Sequence, residues 1–202
     1  SRGDYQEKDF LKWRRLMTNI GLIGCGMWGR NLARNLASLD ALACVADATP
    51  ENASDFATAF NSQPASFDDL CQNPSLDGVV IATPAHSHAA IALPLLAAGK
   101  HVYIEKPLAL SMDAATQIAT AAKAHDRQVM VGHLIRYHAA FIELQKQLAA
   151  GVIGDLRHIQ ATRLAMGRIR NTESVLFDLC PHDLSLVLAL TGASPTHISS
   201  AG

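Results

Sequence analysis

The chain has 202 residues, 49% of them hydrophobic and 17% charged, with 17 basic against 18 acidic side chains and a formal net charge of −1. That length holds one domain comfortably and two complete ones only tightly, and so even a balance gives no electrostatic footprint for nucleic acid or an anionic membrane surface. Nothing resembles a signal peptide or a membrane span, and Cys25, Cys44, Cys71 and Cys180 show neither metal-ligand nor C-x-x-C spacing, so reduced thiols in a cytoplasmic protein are expected and no metal site is.

Residues 1–16 are charged and precede the first apolar run. Phe10, Leu11, Trp13 and Leu16 fit one helical stripe, but a tail or a translated segment ahead of Met17 is the expected reading, without a function of its own.

Ile20, Leu22 and Ile23 then form a short apolar run that ends in Gly24-x-Gly26-x-x-Gly29, after which Trp28, Leu32, Leu36 and Leu39 recur at helical spacing. Strand, glycine loop and helix in this order suit a dinucleotide. Gly24 permits the turn, Gly26 has no Cβ to block a pyrophosphate, Gly29 lets helix and strand pack closely, and the helix start, with Met27 and Trp28, offers N–H groups to the phosphates. A second apolar run, 41–46, ends at Asp47, which follows the last glycine at about the 20-residue spacing expected of a ribose-binding carboxylate. An aspartate there accepts hydrogen bonds from the ribose hydroxyls and repels a 2′-phosphate, which favours NAD over NADP. The alternative is that Asp47 merely begins the turn before a helix starting at Thr49-Pro50.

From Met17 to about Arg127 strands and helices alternate, the signature of a parallel sheet with right-handed crossovers. Strands are predicted at 19–23, 41–46, 78–83, 101–105 and 128–132. Helices are predicted at 26–39, 52–60 and 87–98, the last stopped by Gly99, and from an N-cap at Ser111 to about 125, with a short turn at 68–71. Beyond residue 132 the pattern changes: a helix at 139–150, a strand at 156–164, a helix at 184–190 ended by Gly192, and a strand opening at 197–200. The expected organisation is an extension (1–16), a doubly wound Rossmann-type α/β domain (17–132), and the start of an α+β domain with an open mixed sheet (133–202).

Chemistry is expected at the carboxyl ends of the strands. Thr83-Pro84 makes a fixed turn that would border the nicotinamide half of a dinucleotide. His86 reads as incidental, whereas His88 is balanced between a cofactor contact and a residue of the helix start. In HVYIEKP (101–107), Glu105 and Lys106 point to opposite faces, Pro107 ends the ladder, and both residues would border the nicotinamide; Lys106 is either a solvated strand-end lysine or one placed beside the cofactor to hydrogen-bond a substrate hydroxyl or exchange its proton. Asp178 and His182 are four apart, so they share a helix face unless Pro181 delays the helix to nearer His182 and leaves Asp178 on the approach. A carboxylate near an imidazole sets its tautomer and raises its basicity; a satisfied, capping histidine is the other reading.

The segments GLIGCGMWGRNLARNL, VVIATPAHSHAAIALPLLAAGKHVYIEKPLAL, VGHLIRYHAAF, GVIGDLRHI and FDLCPHDLSLVLALTG, in this order and spacing, resemble the Gfo/Idh/MocA family of nicotinamide-dependent sugar oxidoreductases from about Thr18 onward. The resemblance implies that Lys106 is the catalytic lysine and that His182, with Asp178 nearby, is the catalytic acid/base. It also implies that Arg136 and Tyr137 border the substrate pocket, that the full-length form is a homo-oligomer, and that the chain is a fragment of a longer enzyme. GHLIRYH and RLAMGRIRNTESVLFDLCPHD are similar to the bacterial UDP-N-acetylglucosaminuronate 3-dehydrogenases, which oxidise a sugar nucleotide at C3 ahead of a transaminase in polysaccharide precursor synthesis. In that branch Arg163, Arg168 and Arg170 would meet a uronate or diphosphate, or else form surface charge on a loop. Other sugar or cyclitol dehydrogenases of the family, and a non-catalytic NAD-binding protein, are the alternatives. Ala85 and Ala139 depart from the asparagine and proline frequent in the family.

Overall fold

The structure, a computed structural model, describes residues 18–163 and 175–201. The division into two compact units falls between Val131 and Gly132.

In the first unit, β1 (Ile20–Ile23), β2 (Leu42–Ala46), β3 (Gln63–Pro64), β4 (Gly78–Ile81), β5 (His101–Ile104) and β6 (Val129–Val131) form one parallel sheet in the order β3-β2-β1-β4-β5-β6. Successive strand residues point to opposite faces, and both faces are filled. Leu22, Val45 and Val80 pack with Ala33, Phe56 and Ala57 on one side. Ile23, Ala46, Val79, Ile81, Val102 and Ile104 pack with Leu70, Leu95, Leu96 and Ile118 on the other. A parallel sheet covered on both faces is why its strands read as near-continuous apolar runs.

The helices are α1 (Met27–Ser38), α2 (Pro50–Ala59), α3 (Phe67–Gln72), α4 (His88–Ala97) and α5 (Met112–Ala124), with a 3-10 turn at Ala85–Ser87. The turn predicted at 68–71 is a full helical segment because Ser66 and Asp69 close a reciprocal capping box: Asp69 N–H donates to Ser66 Oγ at 3.1 Å and Ser66 N–H to Asp69 Oδ2 at 2.8 Å. Buried Lys100 donates to the carbonyls of Asn73 and Leu76, the latter at 3.0 Å, and so covers the exit of α3.

Two sequence expectations for this unit change. The stripe Trp28, Leu32, Leu36, Leu39 packs only at its middle two residues. The fully buried residues of α1 are Gly29 and Ala33, flanked by half-buried Leu32 and Leu36, while Trp28 and Leu39 are exposed. Helix and sheet approach closely here, so the smallest side chains mark the contact. The two-residue edge strand β3 had no periodicity to reveal it, and its Pro64 is a residue that edges tolerate.

The second unit contains a 3-10 turn at Leu134–Tyr137, α6 (Ala139–Ala149), α7 (Val175–Asp178) and α8 (Cys180–Thr191), the last closed by Gly192 at φ +63°. The strands expected at 156–164 and 197–200 are not formed among the described residues. A strand exists only as a member of a hydrogen-bonded ladder, and TGASPTHISS and LRHIQATR carry the alternation without a described partner beside them.

Candidate functional site

The crevice in an open parallel sheet lies where strand order reverses, here between β1 and β4. Gly24 N–H donates to Ala46 O at 2.9 Å and Ala82 N–H to Ile23 O at 2.8 Å, so the loops after β1, β2 and β4 leave the sheet side by side. Gly24 has φ +103°, and a Cβ there would sit 2.7 Å from the backbone of Ala82; one on Gly29 would lie 1.9 Å from the Gly24 carbonyl oxygen. The third glycine therefore closes the loop onto its own first glycine. Around Gly26 there is nothing within 4 Å of an added Cβ, and α1 starts there without a side-chain cap. The first N–H groups of a helix have no intrahelical acceptor, so the loop presents an open cradle lined by donors. Met27 and Trp28, 79% and 42% exposed, stand at its mouth.

Asp47 sits at the end of β2 and is hydrogen-bonded into this loop. Its Oδ2 accepts Cys25 N–H at 2.7 Å, and its Oδ1 accepts Thr49 N–H at 3.0 Å and the Asn52 amide at 3.2 Å. Partial burial opposes its charge, but the three hydrogen bonds together hold the carboxyl below the usual aspartate range. The same carboxylate helps to push the Cys25 thiol up to about 12, after burial, the larger cause. The aspartate thus both begins the turn before α2 and edges the glycine loop. Asn52 is a contributor the sequence reading missed; its position one turn into α2 was the available signal.

β4 and β5 carry the next residues. Their pairing ends at Ile81 and Ile104, and Glu105 N–H still donates to Ile81 O at 3.0 Å. This places Thr83, Pro84, Glu105 and Lys106 on adjacent exits at the same end of the sheet. Glu105 is buried and accepts the Tyr103 hydroxyl at 2.8 Å. Tyr103 was also missed, although two-residue strand periodicity puts it on the face of Glu105. His88 is 1% exposed, with Nδ1 2.9 Å from Pro107 O and Nε2 2.9 Å from Thr83 O. Both ring nitrogens are therefore engaged by backbone. His86 is exposed.

In the second unit, Asp178 closes α7 and His182 lies in the first turn of α8, with Pro181 at the helix start where its missing N–H costs nothing. The two residues do not share one helix. Asp183, adjacent to His182, receives Arg163 in a two-pronged contact, Nη2 to Oδ1 at 2.7 Å and Nε to Oδ2 at 3.0 Å. Hydrogen bonding from Arg163 holds the Asp183 carboxyl low, against partial burial and aided by the Arg163 charge. Arg163, read from sequence as either a substrate contact or surface charge on a loop, is paired with Asp183, a partner no local spacing revealed. Arg136 and Tyr137 are exposed on their 3-10 turn. Arg168 and Arg170 lie outside the described residues.

Among the described residues no helix is long and apolar enough to cross a membrane, and no cluster of histidine, cysteine and acidic side chains could hold a metal. Residues 18–133 match the profile of the Gfo/Idh/MocA oxidoreductase family, NAD-binding Rossmann fold. The chain is 35% identical over 184 residues to a UDP-N-acetylglucosamine 3-dehydrogenase of Acidithiobacillus ferrooxidans, covering 90% of this chain and 57% of that protein. A crystal structure under that name from the same organism superposes with a TM-score of 0.82 at 33% identity, over 93% of this chain and 62% of the other. An inositol 2-dehydrogenase of Acidothermus cellulolyticus is 36% identical over 177 residues, 83% of this chain and 52% of the relative. The chain therefore spans about half the length of the curated relatives it matches. With this profile over more than half its length and a switch-point loop that fits the cofactor, the chain belongs to the Gfo/Idh/MocA oxidoreductase family and carries its NAD-binding Rossmann fold.

Proposed function

We propose that the protein is an NAD-dependent dehydrogenase of a sugar nucleotide, oxidising the C3 hydroxyl of a UDP-N-acetylglucosamine-type sugar. The observation that carries the reading is the open, donor-lined cradle over Gly26 with Asp47 at its edge. A floor without Cβ beside free helix-start N–H groups suits a pyrophosphate, and Asp47 suits the ribose hydroxyls while repelling a 2′-phosphate, which makes NADP the poorer cofactor.

Bound there, NAD supplies the acceptor for the hydride that leaves C3. Thr83, Pro84 and Glu105 border the nicotinamide end in this reading. Lys106 donates a hydrogen bond to the reacting hydroxyl and stabilises negative charge as it develops on that oxygen. His182 accepts the hydroxyl proton as the C3 carbonyl forms, with Asp178 as its orienting carboxylate. Arg136, Tyr137, Arg168 and Arg170 are the proposed substrate contacts. Arg163 is paired with Asp183, which leaves one cation fewer for a uronate carboxylate and favours UDP-N-acetylglucosamine, whose sugar ring carries no carboxylate, over its uronate. The implied setting is a cytoplasmic homo-oligomer supplying 3-keto sugar to an aminating enzyme.

The test is the near-ultraviolet absorbance of reduced nicotinamide when full-length protein meets NAD with UDP-N-acetylglucosamine, its uronate, or myo-inositol. A rise with a UDP-sugar supports the reading; a rise with myo-inositol alone selects a cyclitol dehydrogenase, the reading that the 36% identity to an inositol 2-dehydrogenase favours. His182→Ala and Lys106→Ala are each expected to lose turnover; near-full turnover in His182→Ala would remove that residue from the proton step.

A further inference from the structure

We propose that His88 is a positioning residue that fixes the β4 loop against the β5 loop, and so sets where Thr83 and Lys106 stand, rather than a contact of the cofactor. The proposal rests on the reading above in which these two loops border the nicotinamide and the reacting hydroxyl. Ladder pairing between the strands ends at Ile81 and Ile104. Past that point the His88 ring bridges the two exits, Nε2 at 2.9 Å from the Thr83 carbonyl and Nδ1 at 2.9 Å from the Pro107 carbonyl.

Three features suit the ring to this task. It is rigid, so the separation of its nitrogens is fixed and the carbonyls it meets are held at one spacing. It is enclosed, at 1% exposure, so the ring itself is shielded from water. And it is mounted on the first residue of α4, a helix seated on the sheet through buried Ala92, Leu95 and Leu96, so both loops are referred to the same rigid element. Ser87 supports the β4 side: its hydroxyl donates to Pro84 O at 2.7 Å and lies 2.8 Å from the Thr83 hydroxyl. His88 reaches both loops. Donating to both carbonyls at once takes an N–H on each ring nitrogen, so the two-armed clamp is the doubly protonated ring; the neutral ring holds one arm only.

The two arms can be cut separately, because an asparagine amide nitrogen takes the place of Nδ1 and a glutamine amide nitrogen that of Nε2. His88→Asn therefore keeps the Pro107 arm and His88→Gln keeps the Thr83 arm. The readouts are amide hydrogen exchange along the chain and NADH affinity. In His88→Asn, the amides of Thr83 and residues 85–87 are expected to exchange about tenfold faster with those of Lys106 and residues 108–109 unchanged, and NADH to bind about tenfold more weakly. In His88→Gln the acceleration moves to Lys106 and residues 108–109 and NADH affinity stays within about twofold of the parent. Equal loosening of both loops in both variants, or no change in either, would overturn the clamp. Split exchange with NADH affinity unchanged in both variants would leave the clamp standing and remove Thr83 from the cofactor site. Should one variant fail to fold, the other still reports its own arm against the unmutated protein.

Discussion

The Asp47 carboxylate accepts the Cys25 N–H at 2.7 Å, so the residue that ends β2 is pinned to the centre of the loop that follows β1. One side chain thereby does two things: it holds the glycine loop in shape, and it sets a fixed negative charge at the edge of the cradle. Asp47→Asn keeps the shape of the side chain and removes the charge. Its expected effects are NAD binding weakened by about tenfold, roughly one charge-assisted hydrogen bond, and a narrowed preference over NADP. Calorimetric titration with both cofactors measures this.

The same carboxylate gives a pH signature. Its folded-state pKa lies below the usual 3.8, so its contribution to stability is complete above that value and is lost as pH falls through the lowered one. Wild type is expected to be more stable than Asp47→Asn at neutral pH, with the difference shrinking through the acid range. Parallel melting curves would show it; a difference independent of pH would contradict it.

Gly26 and Gly29 should separate fold from binding. A Cβ at Gly29 meets the Gly24 carbonyl at 1.9 Å, whereas one at Gly26 meets nothing within 4 Å, and Gly26 has an ordinary φ of −76°. Gly29→Ala is expected to lower the melting temperature by several degrees, since distortion of a packed loop costs about 1–3 kcal/mol. Gly26→Ala should melt like wild type and lose NAD.

Thiol reactivity tests the loop's electrostatics. Burial and the Asp47 charge push Cys25 up to about 12, and burial pushes Cys44 up to about 11. The thiolate is the nucleophile, so both are expected to resist iodoacetamide at mildly alkaline pH. Peptide mass spectrometry after timed alkylation reads this, and early modification of Cys25 would mean the loop is not closed on Asp47.

The glycine loop and its aspartate were legible because their signals are local. Gly24 and Asp47 follow strands whose apolar runs are plain, Gly26 and Gly29 stand at the start of the helix the spacing predicts, and Gly99 and Gly192 end helices at positive φ as their positions suggested. What sequence left hidden depends on side chains meeting across the chain. Arg163 finds Asp183 twenty residues on, and His88 finds Pro107 nineteen residues on; no periodicity encodes either. The alternation at 156–164 and 197–200 misled because pattern specifies which face a strand would bury, not whether a partner strand is beside it.

The loop around Gly26 with Asp47 is tested most directly as an NAD site by titrating the chain with NADH against NADPH, in wild type and Gly26→Ala. Saturable NADH binding, at least about tenfold weaker for NADPH and absent in Gly26→Ala, is the predicted result. Equal binding of NADH and NADPH, or NADH binding that survives Gly26→Ala, would contradict it.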